Sequence, residues 1–411
     1  MKKVFGVALG ILTAIGGFVD IGDLVVNAQV GARFGMSLGL VVLFGIVGIC
    51  VFAEMSGRVA ACSGRATFDL VRERLGPRVG LMNLVASFAV NLLTFIAEIG
   101  GVALAMMLVT SVAEILIVPF VGLLVWTVLW RAKFTVMENV VGLLGLCLVV
   151  FTVALWQLGP SWSDLTSQLA TVDKPSDEGW LTYCYFAVAL FGAAMTPYEV
   201  FFFSSGGVEE KWTSKDLGTM RANVLIGFPL GGILSLSIGA CAATALGPLD
   251  VDVAALSQVG LPVAIALGKI GVAVVIVGFV AATFGAACET GLSTGYSLAQ
   301  YFGWQWGKFV RPDEAARFHL VMVLATLLGV GVLMTGVDPI MVTELSVVFS
   351  AVALPLTYFP ILVVANDKDY MGEHANSVFS NVLGSFYLVA VVIAAIAAIP
   401  LLVITHMGTG A

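Results

Sequence analysis

The chain has 411 residues, 60% of them hydrophobic and only 11% charged, and its mean hydropathy is +1.05. Water-soluble globular domains do not have that balance, so the sequence reads as a protein that crosses the bilayer many times. The net charge of -7, with Lys and Arg scattered over short loops, excludes a basic face for nucleic acid.

The chain opens Met1-Lys2-Lys3 and then stays apolar too long for a cleaved leader, so the first segment is expected to remain as a membrane helix. A hydrocarbon core of about 30 Å takes about 20 apolar residues per helix. On that measure eleven spans are expected, near 4–30, 37–61, 80–108, 112–130, 135–158, 181–205, 222–246, 263–290, 318–336, 340–364 and 381–405. With the N-terminus in the cytoplasm, sixteen of the nineteen Lys and Arg fall inside and only Arg33, Lys174 and Lys269 fall outside. The longest external loop, 159–179, carries Asp164, Asp173, Asp177 and Glu178, a set that suits either cation gathering or plain solvation. The six cysteines lie in apolar segments without CxxC spacing and read as buried free thiols.

Two spans are interrupted. The first contains Gly16-Gly17-Phe18-Val19-Asp20-Ile21-Gly22-Asp23, and the sixth contains Gly192-Ala193-Ala194-Met195-Thr196-Pro197-Tyr198-Glu199. A charge at mid-bilayer costs about 2.5–3.5 kcal/mol even on the lenient insertion scale, so Asp20, Asp23 and Glu199 demand something positive among them. Gly22 and Pro197 are the expected helix breakers. Breaks in spans one and six, five helices apart, predict an inverted repeat with a site at the bilayer midplane. The expected fold is therefore all-α, a LeuT-like repeat of five plus five helices with an eleventh. The expected units are residues 1–158, residues 181–364, and a cytoplasmic loop with the last helix over 365–411.

Glu54, Glu138, Glu289 and Glu344 also sit in apolar surroundings, where each would line a pathway, cap a helix or pair with a base, as Arg58 offers Glu54. Asn91 suits a packing hydrogen bond. The chain has no HExxH, GxSxG or GxGD pattern, which argues against an intramembrane enzyme. A channel would favour a symmetric ring of subunits over an internal repeat. An amino-acid carrier would bind a carboxylate at the first break, where this chain has two aspartates.

The run Gly17-Phe18-Val19-Asp20-Ile21-Gly22-Asp23, followed by Gly31-Ala32-Arg33-Phe34-Gly35, resembles the first helix of the NRAMP divalent-metal transporters, whose pattern begins DPGN. The likeness continues at Ala97-Glu98-Ile99-Gly100, Leu345-Ser346-Val347-Val348, Leu354-Pro355-Leu356, Met371-Gly372 and Asn376. Family members hold Mn2+ or Fe2+ with the Asp and Asn of that motif, a helix 6 carbonyl and the methionine of MPH. Here Asp23 replaces the Asn, Thr196 the methionine, Tyr198 the histidine, and Glu199 the Asn that follows. Met195 is one residue away, so a register slip would restore a sulfur. The family's helix 3 aspartate is Phe95, its second helix 6 histidine is Phe203, and the glutamine of LSQ is Val347.

Losing sulfur and gaining acids resembles the NRAMP-related magnesium transporters, because hard oxygen ligands suit Mg2+. The resemblance implies a metal site of Asp20, Asp23, the Ala193 carbonyl, Thr196 and Glu199, with Glu98 and Tyr198 on a pathway. The implied activity is uptake of Mg2+, and of Mn2+ less selectively, by alternating access and without proton coupling; a proton-coupled Mn2+/Fe2+ carrier is the alternative. No cofactor is implied, since the ion is substrate, and the partners are divalent ions and the lipid of a bacterial inner membrane. Nothing in the sequence sets an oligomeric state.

Overall fold

The structure is a computed structural model that describes residues 19–172, 174–175 and 178–409. The expectations for residues 4–18 of the first span, for Lys2 and Lys3, for Asp173 and Asp177, and for the Glu138 side chain lie outside the described residues.

The described residues form helices joined by turns, without a strand. In chain order the long ones are α1 (Ile21–Phe34), α2 (Gly39–Ser63), α3 (Thr67–Thr110), α4 (Glu114–Arg131), α5 (Phe134–Gly145), α6 (Val150–Leu158), α7 (Trp162–Ala170), α8 (Trp180–Ala194), α9 (Pro197–Glu209), α10 (Leu217–Ala245), α11 (Leu261–Phe302), α12 (Ala316–Leu333), α13 (Pro339–Ala365) and α14 (Val378–Ile404). Among the described residues ten spans are long and apolar enough to cross a membrane, with α5 continuing into α6 through a turn of 3-10 helix, and α8 and α9 together making one span. They match the second to eleventh expected spans. The architecture is the LeuT-like inverted repeat with an eleventh helix.

Two helices overrun the bilayer. α3 counts 44 residues, but it bends at Gly76, whose φ of 84° ends one helix before Pro77 starts the next. α11 bends in the same way at Gly268, where φ is 61°. Neither bend is visible from hydropathy, because both lie at the ends of apolar runs. α14 buries Gly384, Tyr387, Val391, Ala394, Ala398 and Leu401, one stripe at spacings of three and four, and turns residues such as Phe379 and Ile396 outward to lipid. All six cysteines are free, but Cys184 is exposed and Cys62 and Cys147 are half-buried, so burial of every thiol was too strong an expectation.

α1 is short because the chain enters it from a non-helical Val19-Asp20, and it is held against α10 by backbone contact. A Cβ on Gly31 would lie 2.1 Å from the carbonyl oxygen of Gly239. Without a hydrophobic drive between helices in lipid, such small-residue contacts set the packing. At the far end of α1, Arg33 pairs with Glu178 at 2.6 Å and donates to the Gly408 carbonyl. Beside it opens a vestibule of about 640 Å³ lined by Asp250, Asp252, Asp338 and Glu344 among others. The opposite end carries Arg58, which pairs with Glu54 as expected, donates to Asn376, and shares Glu54 with Arg221.

Gly31→Val should therefore force α1 from α10 and cost about 1–3 kcal/mol. A melting temperature in detergent equal to that of the parent would show that the contact is slack.

Candidate functional site

The first break is made by Asp20. Its backbone is extended, with φ -97° and ψ -178°, and its Oδ1 accepts from the Asp23 backbone N–H at 2.8 Å, which caps α1. Its Oδ2 accepts from the Tyr198 hydroxyl at 3.4 Å. The next free N–H of the helix, on Ile21, donates to Oε1 of Glu98 on α3 at 3.0 Å. Two carboxylates thus meet the positive end of one half-helix.

Gly22 is not the breaker that its residue type suggested. It lies inside the first turn of α1, where a Cβ would meet Cγ2 of Val347 at 2.7 Å. Its role is close packing against α13, and the break falls at Val19 and Asp20.

The second break is Met195-Thr196, between α8 and α9, and Pro197 opens the second half-helix at its first position. The last carbonyls of α8 have no helical partners. The Ala193 carbonyl accepts from the Thr196 hydroxyl at 2.6 Å, and the Met195 carbonyl from the Tyr358 hydroxyl at 3.0 Å. Met195 is fully buried with its sulfur against Gly48 of α2, 2.7 Å from where a Cβ there would stand. The sulfur that a register slip would bring to the site is turned away from it.

Between the breaks lies a cavity of about 10 Å³, room for about one water. Asp20, Ala193, Thr196 and Glu98 line it, together with Thr94, Thr343, Ser346 and Ser350. Its polar atoms are oxygens and backbone groups, and no sulfur or imidazole is among them.

The other proposed site residues stand just outside. Asp23 is 1% exposed and both its oxygens are engaged, Oδ1 by the Asn27 amide at 2.8 Å and Oδ2 by the Ser235 hydroxyl of α10. Glu199, in the first turn of α9, is buried with its Oε2 unpartnered. Glu98 also has an unpartnered Oε2. Tyr198 touches the site through Asp20. Glu289 of α11, buried as well, lies within electrostatic reach of Asp20, Glu98 and Glu199.

None of the ion pairs among the described residues reaches these acids. Nor do three or more His, Cys, Asp or Glu among the described residues sit together as a ready metal cluster. The arrangement is a dispersed set of buried acids around a small oxygen-lined cavity, and buried carboxylates without a counter-charge call for a cation or a proton. Sequence reading underweighted Glu289 and did not find Asn27 or Ser235. An acid in an apolar run signals the first, but the Ser235 contact joins residues 212 apart and leaves no local trace.

The Nramp family model, described as natural resistance-associated macrophage protein-like, matches residues 10–401. A divalent metal cation transporter MntH of Klebsiella pneumoniae (strain 342) is 24% identical over 396 residues, covering 92% of this chain and 89% of that protein. One of the same name from Verminephrobacter eiseniae is 26% identical over 389 residues, covering 91% and 84%. Among solved structures, a mutant of the Eremococcus coleocola manganese transporter superposes with a TM-score of 0.73 at 17% identity, covering 98% of this chain and 86% of its own. A Na+-coupled sialic acid symporter shares the fold with a TM-score of 0.61 at 14% identity, covering 96% and 89%.

Two variants separate the capping role of Asp20 from a charge role. Asp20→Asn keeps an Asn cap and should keep the melting temperature, yet lower divalent-ion affinity in calorimetry by about tenfold or more. Asp20→Ala should lose affinity and also about 0.5–2 kcal/mol of stability. Unchanged affinity in Asp20→Asn would reduce Asp20 to a helix cap.

Proposed function

The chain belongs to the Nramp family, and from that premise we propose that it carries divalent metal ions into the cytoplasm across a bacterial inner membrane. The proposed cargo is Mg2+, with Mn2+ carried less selectively, and the proposed mode is alternating access without proton movement. The reading includes no cofactor.

One observation carries it: every polar side chain lining the cavity between the two helix breaks is an oxygen donor, while the Met195 sulfur packs against Gly48. Soft ligands favour transition metals, whereas carboxylate, hydroxyl and water suit a hard ion that gives up its waters reluctantly. Asp20 would hold the ion directly with the Ala193 carbonyl, and Thr196 through its hydroxyl or a water. Asp23 and Glu199 would act at longer range, Asp23 becoming a direct ligand on release from Ser235. Glu98 and Tyr198 fix Asp20 and the α1 terminus, one by accepting from Ile21 and the other by donating to Asp20.

With the N-terminus in the cytoplasm, the acidic vestibule beside Arg33 faces outward and gathers cations. A divalent ion moving inward then gains about 4.6 kcal/mol per 100 mV of membrane potential. Phe95 and Phe203 stand where titratable groups would pass protons; Phe95 is buried against Gly291, and Phe203 packs on Trp212.

The names of the relatives give divalent metal cations and manganese as their cargo, which suits a second reading, a proton-coupled Mn2+/Fe2+ carrier. Glu98 is the buried acid that would serve it.

The two readings part in proteoliposomes under a clamped potential. Mg2+ or Mn2+ should enter without acidifying the lumen beyond the level of empty vesicles, and Thr196→Met should shift preference toward Mn2+. Metal-dependent acidification would return the chain to the proton-coupled class.

Sidedness has its own test. In intact cells an impermeant thiol reagent should label Thr171→Cys and leave Arg65→Cys unlabelled; the reverse pattern would invert the protein in the membrane.

A further inference from the structure

Beyond the central cavity, toward the Arg58 end, α3 and α11 carry matching polar stripes. On α3 these are Ser87, Asn91, Thr94 and Glu98; on α11 they are Glu289, Ser293, Tyr296 and Gln300. Both sets step by four, three and four residues, so each lies along one helix face. The two helices pack against each other and run in opposite senses, Gly101 meeting Thr283, Phe95 meeting Gly291 and Pro77 meeting Tyr301. Glu98 is accordingly level with Glu289, and Asn91 and Ser87 with Ser293 and the residues after it.

Thr94 and Glu98 line the central cavity. The next residues of the stripes line a second chamber of about 10 Å³, closed by α9 through Phe201, Phe202 and Ser205. Within it, Ser87 Oγ, Asn91 Oδ1 and Ser293 Oγ have no hydrogen-bond partner, and these residues are only 4%, 3% and 4% exposed. Leaving one buried polar group unpaired costs about 1–3 kcal/mol, so three around one chamber point to a ligand that supplies their bonds. The remaining polar contacts are internal: Gln300 donates to Ser205 at 2.8 Å, and Tyr296 donates to Glu209 at 2.9 Å.

We propose that this chamber between α3, α9 and α11 is a transit site for a hydrated divalent cation, one step beyond the central cavity on the way to the cytoplasm. The inference rests on the transport reading above. The wall contributes uncharged oxygens, which bind the ion's own water molecules and not the ion itself. Such contacts are favourable enough to admit an ion that keeps its hydration and weak enough to release it. Buried acids stand at both ends, Glu289 beside the central cavity and Glu209 beyond Tyr296, so the ion passes from charge to neutral oxygen to charge. In this conformation the chamber holds about one water. Phe201, set edge-on against Phe68 with ring centroids 4.9 Å apart, and Phe202 beside it close the chamber, so opening requires α9 to move.

Mg2+ influx into proteoliposomes tests the site, using Ser293→Cys in a Cys288→Ser background and a cationic methanethiosulfonate reagent. The reagent should abolish most of the Mg2+ influx in Ser293→Cys and spare the background protein, and Mg2+ should slow the modification. Absence of modification, or influx unchanged after complete modification, would overturn the proposal. Asn91→Leu, of similar volume, should lose influx while equilibrium Mg2+ binding and the melting temperature stay near those of the parent; retained influx would count against the site. If the untreated background carries no Mg2+, it is the transport reading that fails. If it carries Mg2+ and neither variant matters, only the transit site fails.

Discussion

Carboxyl groups buried without a basic partner are the constraint from which the rest of this structure follows. Asp20, Asp23, Glu98, Glu199 and Glu289 are each no more than 8% exposed, and none is paired with a basic side chain. Hydrogen bonds relieve part of the cost. Asp20 and Glu98 take the free N–H groups of α1, and Asp23 takes Asn27 and Ser235. What remains, above all the unpartnered oxygens of Glu98 and Glu199, asks for a cation or a proton.

The broken helices serve that demand geometrically. A continuous helix would spend its carbonyls and N–H groups on itself, whereas the breaks at Val19-Asp20 and Met195-Thr196 leave backbone ends facing one cavity. The same geometry excludes sulfur. Tyr358 holds the Met195 carbonyl, and the side chain fills the space that Gly48 leaves on α2. The Met195 sulfur is thus kept out of the cavity lining by a packing choice on a neighbouring helix. Contact between Gly31 and Gly239 keeps α1 and α10 together, so that Ser235 reaches Asp23.

Much of this was readable from the sequence, for identifiable reasons. Apolar runs of bilayer length reveal the spans from α2 to α14, and acids in such runs reveal Asp20, Asp23 and Glu199. Residue type misled at Gly22, a packing glycine because Val347 lies over it, whereas Pro197 does mark the second break, at the first position of the half-helix that follows it. The bends at Gly76 and Gly268 need positive φ, a backbone property that hydropathy does not report. Which acids face the cavity and which are held beside it depends on contacts such as Ser235 to Asp23 and Tyr198 to Asp20, between residues 212 and 178 positions apart. The stripes on α3 and α11 were present as spacing, yet only their meeting across two packed helices gives them meaning.

The account turns on an ion held by oxygen at the meeting of the two helix breaks. Anomalous diffraction from crystals soaked in Mn2+ locates such an ion directly. The predicted peak lies between the Asp20 carboxylate and the Ala193 carbonyl, with no sulfur in contact. A peak bonded to the Met195 sulfur, or one outside this cavity with the cavity empty, would contradict the account.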